Sequence, residues 1–384
     1  MQFEFATATR IVFGTGKAAE AGKAAEGYGR RALLVAGGNP AHAATVAESL
    51  EEAGILCAVE RVSGEPTVAW LREAAGRAGT ECCDVVVACG GGSVIDGGKA
   101  IAAMLANPGD PLDYLEVIGS GKPLPHRSIP FIAIPTTAGT GAEATRNAVL
   151  GSPEHGAKAS LRSAGMLPSL AIVDPALSLR LPPFLSACTG LDALTQLIEP
   201  LVCAKANPLT DALCREGIPR VARSLRRVRE ADPSPDARAD MALASLLSGL
   251  ALANAGLGAV HGFAAPIGGR FPAPHGAVCA ALLPHAMRAN LGAMRRRQPA
   301  SPALERYREV AALLTGNTGA HAEDGVLWVE ALRADLSIPR LSHWGVAAAD
   351  APSLAAQAAE SNSMKANPIR LTALELEALL LEAL

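Results

Sequence analysis

Polar and apolar positions alternate over residues 3–13 around a short turn, a two-strand pattern of the kind found at a sheet edge. Beyond it the apolar runs become short and continuous. Arg31-Ala32-Leu33-Leu34-Val35-Ala36 runs into Gly37-Gly38-Asn39-Pro40, a buried strand closing in a turn, and a helix follows through Leu50. A strand over 55–62 and a helix over 67–79 come next. Asp84-Val85-Val86-Val87-Ala88-Cys89 is apolar after its first residue, as central parallel strands are, and leads through Gly90-Gly91-Gly92-Ser93 into a helix over 94–105. Phe131-Ile132-Ala133-Ile134 and Leu170-Ala171-Ile172-Val173 complete the strand series. Strands alternating with helices predict an open, mostly parallel, Rossmann-like α/β sheet. From residue 181 the strand-like runs stop. Helical segments are predicted over 184–199, 208–228, 236–256, 277–290, 303–314 and 325–336, with Pro and Gly at nearly every junction. The pattern therefore predicts an α/β domain over 1–180 and an all-helical C-terminal domain over 181–384.

Composition narrows this picture only a little. A chain of 384 residues exceeds one compact core, and 49% apolar with 18% charged residues marks a folded globular protein. A net charge of −3 gives no electrostatic reason to expect nucleic acid or a membrane surface as partner, and no apolar run reaches the roughly 18 residues of a membrane span. The basic run Met294-Arg295-Arg296-Arg297-Gln298 reads as a solvated helix end. The first residues show no basic segment leading into an apolar one, and the eight cysteines form no C-x-x-C pair. All eight, Cys279 among them, read as small buried hydrophobes in a reducing compartment, so a cytoplasmic location is expected.

Two tracts carry candidate chemistry. His261 and His275 lie in the apolar, Gly- and Pro-rich stretch from Val260 to Gly276. Unpaired buried imidazoles are costly, so these two are either satisfied core histidines or metal ligands. Asp192 and Gln196 stand at i and i+4, on one face of a predicted helix. One carboxylate with two imidazoles is a ligand set for a catalytic divalent ion with a position left open. The second tract comprises two turns, each following a strand. Gly90-Gly91-Gly92 lets backbone approach a phosphate without Cβ clashes, although such a run also serves as a plain turn. Ser93 is expected to cap the helix that follows, with Asp96 three residues on. Pro135-Thr136-Thr137-Ala138-Gly139-Thr140-Gly141-Ala142-Glu143 offers hydroxyls and open backbone to the same crevice.

These segments, taken together, resemble the iron-containing (group III) alcohol dehydrogenases. The run from Ile134 to Glu143 looks like the family signature, and Gly90–Ser93 with Asp96 is similar to its cofactor loop. Gly190-Leu191-Asp192-Ala193-Leu194-Thr195 and Val260-His261-Gly262 with Pro274-His275-Gly276 are similar to its metal segments. The resemblance runs from Phe13-Gly14 to Asn367-Pro368. It implies hydride transfer between a nicotinamide cofactor, NAD(H) or NADP(H), and an alcohol or carbonyl compound in a cleft between two domains, and a homodimer. Carried across, Gly90, Gly91, Gly92 and Ser93 hold the pyrophosphate, and Asp96 lies by the nicotinamide ribose. Thr136, Thr137 and Thr140 line the adenine and ribose path, Lys158 reaches the cofactor, and Asn147 sits beside the substrate. Gly37-Gly38-Asn39 carries no carboxylate where NAD-preferring relatives often have one, which leaves room for a 2′-phosphate. Asp192, His261 and His275 match three metal ligands, for iron or zinc.

The chain departs from the family pattern twice. Gln196 replaces a ligand histidine and is a poor fourth ligand or none, so a weakly held metal is expected. Ala265 replaces a histidine near the nicotinamide. Two rival readings remain open: a maleylacetate-reductase-like enzyme that reduces an oxo-acid without metal, with Arg146 and Lys158 holding the substrate, and a lyase of the dehydroquinate-synthase type. Without a metal, His261, His275 or Lys158 would carry the charge developing on the substrate oxygen.

Overall fold

The computed structural model describes residues 2–230 and 234–384. In chain order its strands are β1 (Arg10–Phe13), β2 (Arg31–Ala36), β3 (Leu56–Arg61), β4 (Val85–Gly90), β5 (Phe131–Pro135), β6 (Asn147–Ser152), β7 (Ala157–Arg162) and β8 (Leu170–Val173). The helices between them are α1 (Ala21–Ala25), α2 (Pro40–Glu52), α3 (Val68–Thr80), α4 (Gly92–Ala106) and the single turn α5 (Pro111–Tyr114). Helices alone follow: α6 (Pro183–Val202), α7 (Pro208–Ser224), α8 (Pro235–Ala255), α9 (Ala259–Arg270), α10 (His275–Arg297), α11 (Pro302–Thr315), α12 (Ala322–Asp335), α13 (Ala351–Glu360) and α14 (Ala373–Glu382).

Side chains on a strand point alternately to its two faces, and the central strands are apolar at every position, so both faces must be covered. Leu33, Val35, Val86, Ala88, Phe131 and Ala133 pack on one side with Leu71 and Ile101 of α3 and α4. Leu34, Val85, Val87, Ile132 and Ile134 pack on the other with Val46 and Leu50 of α2. The result is three layers around a six-stranded parallel sheet of order β1-β8-β5-β4-β2-β3. The order reverses between β2 and β4, since the chain leaves β2 for β3 on one side and returns to β4 on the other. Open α/β sheets bind ligands beyond the carboxyl ends of strands at such a reversal.

Contacts divide the chain into two compact units. Residues 6–137 and 141–180 form the sheet unit, and residues 181–384 form the helical one together with Met1–Phe5 and Ala138–Thr140. The helical unit is built around α6, of which Leu191, Leu194, Leu197, Ile198 and Leu201 are fully buried among α7, α8, α9 and α10. No single helix among the described residues is long and apolar enough to cross a membrane.

Three departures from the sequence pattern have physical causes. Only the end of the alternating stretch at residues 3–13 forms a strand: β1 pairs parallel with β8 at the sheet edge, and the residues before it form no strand. β6 and β7 form an antiparallel hairpin that the apolar pattern did not show. Both strands are short and rich in Ala, Gly and Ser, which favour strands little, and the turn is set by Gly156, whose φ of 57° lies in the left-handed region. The Gly- and Pro-rich tract around His261 is helical. α9 runs through Pro266, and the burial of Val260, Phe263, Ala264 and Ile267 offsets the lost backbone hydrogen bond.

Candidate active site

In the sheet unit three turns meet at the carboxyl ends of β2, β4 and β5. The Gly37 amide donates to the Cys89 carbonyl at 3.3 Å, and that of Thr136 to the Gly90 carbonyl at 2.9 Å. A Cβ on Gly90 would come within 2.5 Å of Val94, so only glycine lets β4 turn directly into α4. Gly91 is the N-cap of α4, and no side chain caps it. Ser93 and Asp96 therefore do not form the expected cap. Ser93 lies inside the first turn, and the Asp96 carboxylate turns away to accept from the Val149 amide at 3.0 Å. The α4 N-terminus is left uncapped, with its amides unclaimed by any side chain, which suits a pyrophosphate better than a capped one would. Thr136 and Thr137 line the same turns. Thr140 belongs instead to the short segment that packs within the helical unit, where a Cβ on Gly139 would meet Thr189 at 2.7 Å.

Asn39 caps α2, accepting from Ala41 at 3.1 Å and lying 3.2 Å from the His42 ring. Asn147 and Lys158 lie on the β6–β7 hairpin. The Lys158 ammonium is paired with Glu65 at 2.7 Å. Lys99, which the sequence pattern did not single out, is fully buried one turn beyond Asp96. It donates to the Asn147 carbonyl at 2.7 Å and to Ala142 O and Thr145 Oγ1 at 2.9 Å, and lies 3.8 Å from Asp96. Burial lowers its pKa to about 8, and burial raises that of neighbouring Glu143 to about 7.

Glu143 gives a pH test. Its folded value lies above the ordinary 4.5, so folding favours the protonated form. That contribution is complete below the ordinary value and is lost as pH rises through about 7. Glu143→Gln, which mimics the protonated acid, should match the parent at pH 4. At pH 8 it should unfold later, by on the order of 2–3 kcal/mol. Denaturant unfolding at the two pH values checks this; equal differences at both would refute it.

In the helical unit Asp192, His261, His275 and Cys279 each offer one ligand atom, and these atoms all lie within 4.8 Å of one another. α6 supplies Asp192, α9 supplies His261, and α10 supplies both His275 and Cys279, one turn apart. The close approach of α10 to α6 depends on Gly276, where a Cβ would strike the Cys188 carbonyl at 2.1 Å. Asp192 is 2% exposed. Its Oδ2 accepts from Gln196 Nε2 at 3.1 Å, while its buried Oδ1 has no hydrogen-bond partner and lies 3.4 Å from His261 Nε2 and 3.5 Å from His275 Nε2. An orphaned carboxylate oxygen facing two imidazoles fits a cation.

The supporting residues fit it too. His261 Nδ1 donates to Glu199 Oε2 at 2.6 Å, which directs Nε2 into the cluster, the nitrogen that carries the lone pair when the ring is neutral. The other Glu199 oxygen accepts from the Val260 amide at 2.8 Å and so fixes the start of α9. Asp192, Gln196 and Glu199 recur at helical spacing on one face of α6, so the spacing alone marks Glu199 in the sequence. Gln196 has both polar atoms engaged: a carboxylate only accepts, so the amide nitrogen faces Asp192, and the amide oxygen accepts from Ser248 at 2.9 Å. Burial disfavours a charged His261, but Cys279, Glu199 and Asp192 outweigh it and raise its pKa. At His275 the Cys279 sulfur comes first, pushing the value to about 9. The cluster thus favours positive charge. His275 remains 46% exposed, leaving one side open.

Comparison with known proteins bears on this site. The profile for iron-containing alcohol dehydrogenase matches residues 8–175, and that for the C-terminal part of the same family matches residues 186–384. The chain belongs to the iron-containing alcohol dehydrogenase family. Within it, the 1,3-propanediol dehydrogenase of Klebsiella pneumoniae is 38% identical over 326 residues, covering 83% of this chain and 81% of its own. The lactaldehyde reductase of Escherichia coli strain K12 is 35% identical over 338 residues, covering 86% and 85%. The solved structure of a 1,3-propanediol oxidoreductase superposes with a TM-score of 0.92 at 33% identity over the whole of both chains. A sulfoacetaldehyde reductase from Bifidobacterium kashiwanohense, solved in complex with NAD+, gives 0.86 at 27% identity over 100% of this chain and 99% of that one. The chain is an enzyme of the alcohol dehydrogenase class, interconverting alcohols and aldehydes, and nothing in these relationships favours the oxo-acid or lyase readings.

Proposed function

We propose that the enzyme moves hydride between a nicotinamide cofactor and a small alcohol or its aldehyde or ketone, with a divalent metal held by Asp192, His261 and His275. The orphaned Asp192 Oδ1 facing the two Nε2 atoms carries this reading. A bound iron or zinc ion supplies Lewis-acid polarisation of the substrate oxygen. Residues 1–180 act as the dinucleotide-binding part and 181–384 as the metal and substrate part. Gly90, Gly91, Gly92 and Ser93 present the α4 N-terminus to the pyrophosphate, with Asp96, Thr136, Thr137 and Thr140 as further cofactor contacts. Glu199 holds the His261 tautomer, Gln196 orients Asp192, and His275 forms the open side that substrate meets. Asn147 is proposed beside the substrate. Lys158 reaches a cofactor only by leaving Glu65.

The turn Gly37-Gly38-Asn39 presents no carboxylate, so NADP(H) is proposed as a cofactor alongside NAD(H). A cytoplasmic homodimer is also proposed, with the exposed edge at β1, where Phe13 is 38% exposed, covered by a second copy. Sedimentation at micromolar concentration tests the dimer. The functional reading is tested by following reduced nicotinamide absorbance, from NADH and NADPH separately, against aldehydes, alcohols and oxo-acids, with and without chelator. Aldehyde reduction that chelator suppresses and zinc or ferrous ion restores is expected. Chelator-resistant reduction of oxo-acids alone would overturn it.

A further inference from the structure

Gln196 occupies the helical position from which a fourth donor is expected, yet both its polar atoms are committed to Asp192 and Ser248. A fourth donor stands elsewhere. Cys279 Sγ lies 3.6 Å from His275 Nε2 and 3.9 Å from His261 Nε2, buried one turn along α10 from His275. We infer that Cys279 is the fourth metal ligand of this enzyme, making an Asp-His-His-Cys site selective for zinc over ferrous iron.

The separations carry the argument. A tetrahedral ion with N and O ligands at about 2.0–2.1 Å and S at about 2.3 Å sets N and O donors about 3.4 Å apart and N and S donors about 3.6 Å apart. The Asp192–histidine separations are 3.4 and 3.5 Å, and the sulfur–histidine separations 3.6 and 3.9 Å. The second, independent observation is the Asp192 carboxylate, whose Oδ1 is buried, unpartnered and aimed at the same two imidazoles. A cysteine that merely filled core space would not need to sit within ligand distance of both Nε2 atoms. Thiolate is a softer donor than imidazole or an amide oxygen and suits zinc and cobalt(II). The loss of imidazole at position 196 is thereby offset from a different helix.

The inference rests on the proposed metal site, and the test separates the two. Metal-free full-length protein is titrated with cobalt(II) while the visible and near-ultraviolet spectra are recorded, and zinc-loaded protein is examined by X-ray absorption at the zinc edge. Wild type should show a thiolate-to-cobalt charge-transfer band and one sulfur at about 2.3 Å from zinc. Cys279→Ser should lose both and bind zinc at least about tenfold more weakly, the least that losing even a supporting group costs. Cys188→Ser, one helical turn before Asp192, should keep the band. Cobalt d–d bands without charge transfer, and a zinc edge with only N and O neighbours, would leave the metal site standing and overturn Cys279 as ligand. No stoichiometric cobalt or zinc binding would overturn both. The zinc-edge measurement uses the wild-type protein, so it decides the question even if the serine variant does not fold.

Discussion

Replacing His261 by alanine is expected to abolish stoichiometric metal binding and the metal-dependent turnover with it. The imidazole Nε2 stands 3.4 Å from Asp192 Oδ1, and both residues are buried. The change also leaves Glu199, 6% exposed, without the ring it accepts from. An outer partner of this kind typically costs 10–100-fold in metal affinity or activity when lost, so Glu199→Gln should fall within that range and the direct ligand beyond it, by more than about a hundredfold. Zinc competition against a chromophoric chelator measures the affinities, and nicotinamide absorbance measures turnover. Full activity in metal-free His261→Ala, unchanged by added zinc or ferrous ion, would show that the cluster has no metal role.

The second large effect concerns stability. Lys99→Met keeps an unbranched four-atom stem but removes a buried ammonium that binds three oxygens and stands beside Asp96. Breaking a buried ionic network from one side costs roughly 3–5 kcal/mol, because the remaining carboxylate keeps its desolvation penalty without its partner. The midpoint of urea unfolding should fall accordingly. The β6–β7 hairpin should loosen with it, since Lys99 holds its first residue, Asn147, by the carbonyl. Hydrogen exchange over 145–162 reads this local effect separately. A stability change under about 1 kcal/mol, the size of an ordinary neutral hydrogen bond, would show that Lys99 is a filler and not a tie.

Much of the architecture could be read from the chain before the structure. The strands β2, β4, β5 and β8 are short, apolar apart from Arg31 and closed by Gly, Pro or Asp, so period, length and turn residues all agree. The turns after β2, β4 and β5 were expected to gather ligand-binding backbone, and the sheet order brings all three to one end. The hairpin at 147–162 and the helix through Pro266 were not legible, because local propensity speaks against both and tertiary packing decides them.

The same division holds for the chemistry. Asp192, His261 and His275 were visible as candidates because acids and imidazoles in apolar stretches need partners. Cys279 was not, since a cysteine in an apolar helix looks the same whether it packs or ligates. Lys99 is illegible for a related reason: a lysine in an apolar helix can snorkel to solvent as easily as be buried with partners. The sequence by itself marks the strands of the sheet, most of the longer helices and the Asp-His-His donors, through local periodicity and donor chemistry. Only the tertiary structure decided which donors meet. That depends on separations of 3.4 to 3.9 Å between atoms on three different helices. Such distances are set by the crossing of α6 and α10 at Gly276, and no spacing along one chain segment encodes them.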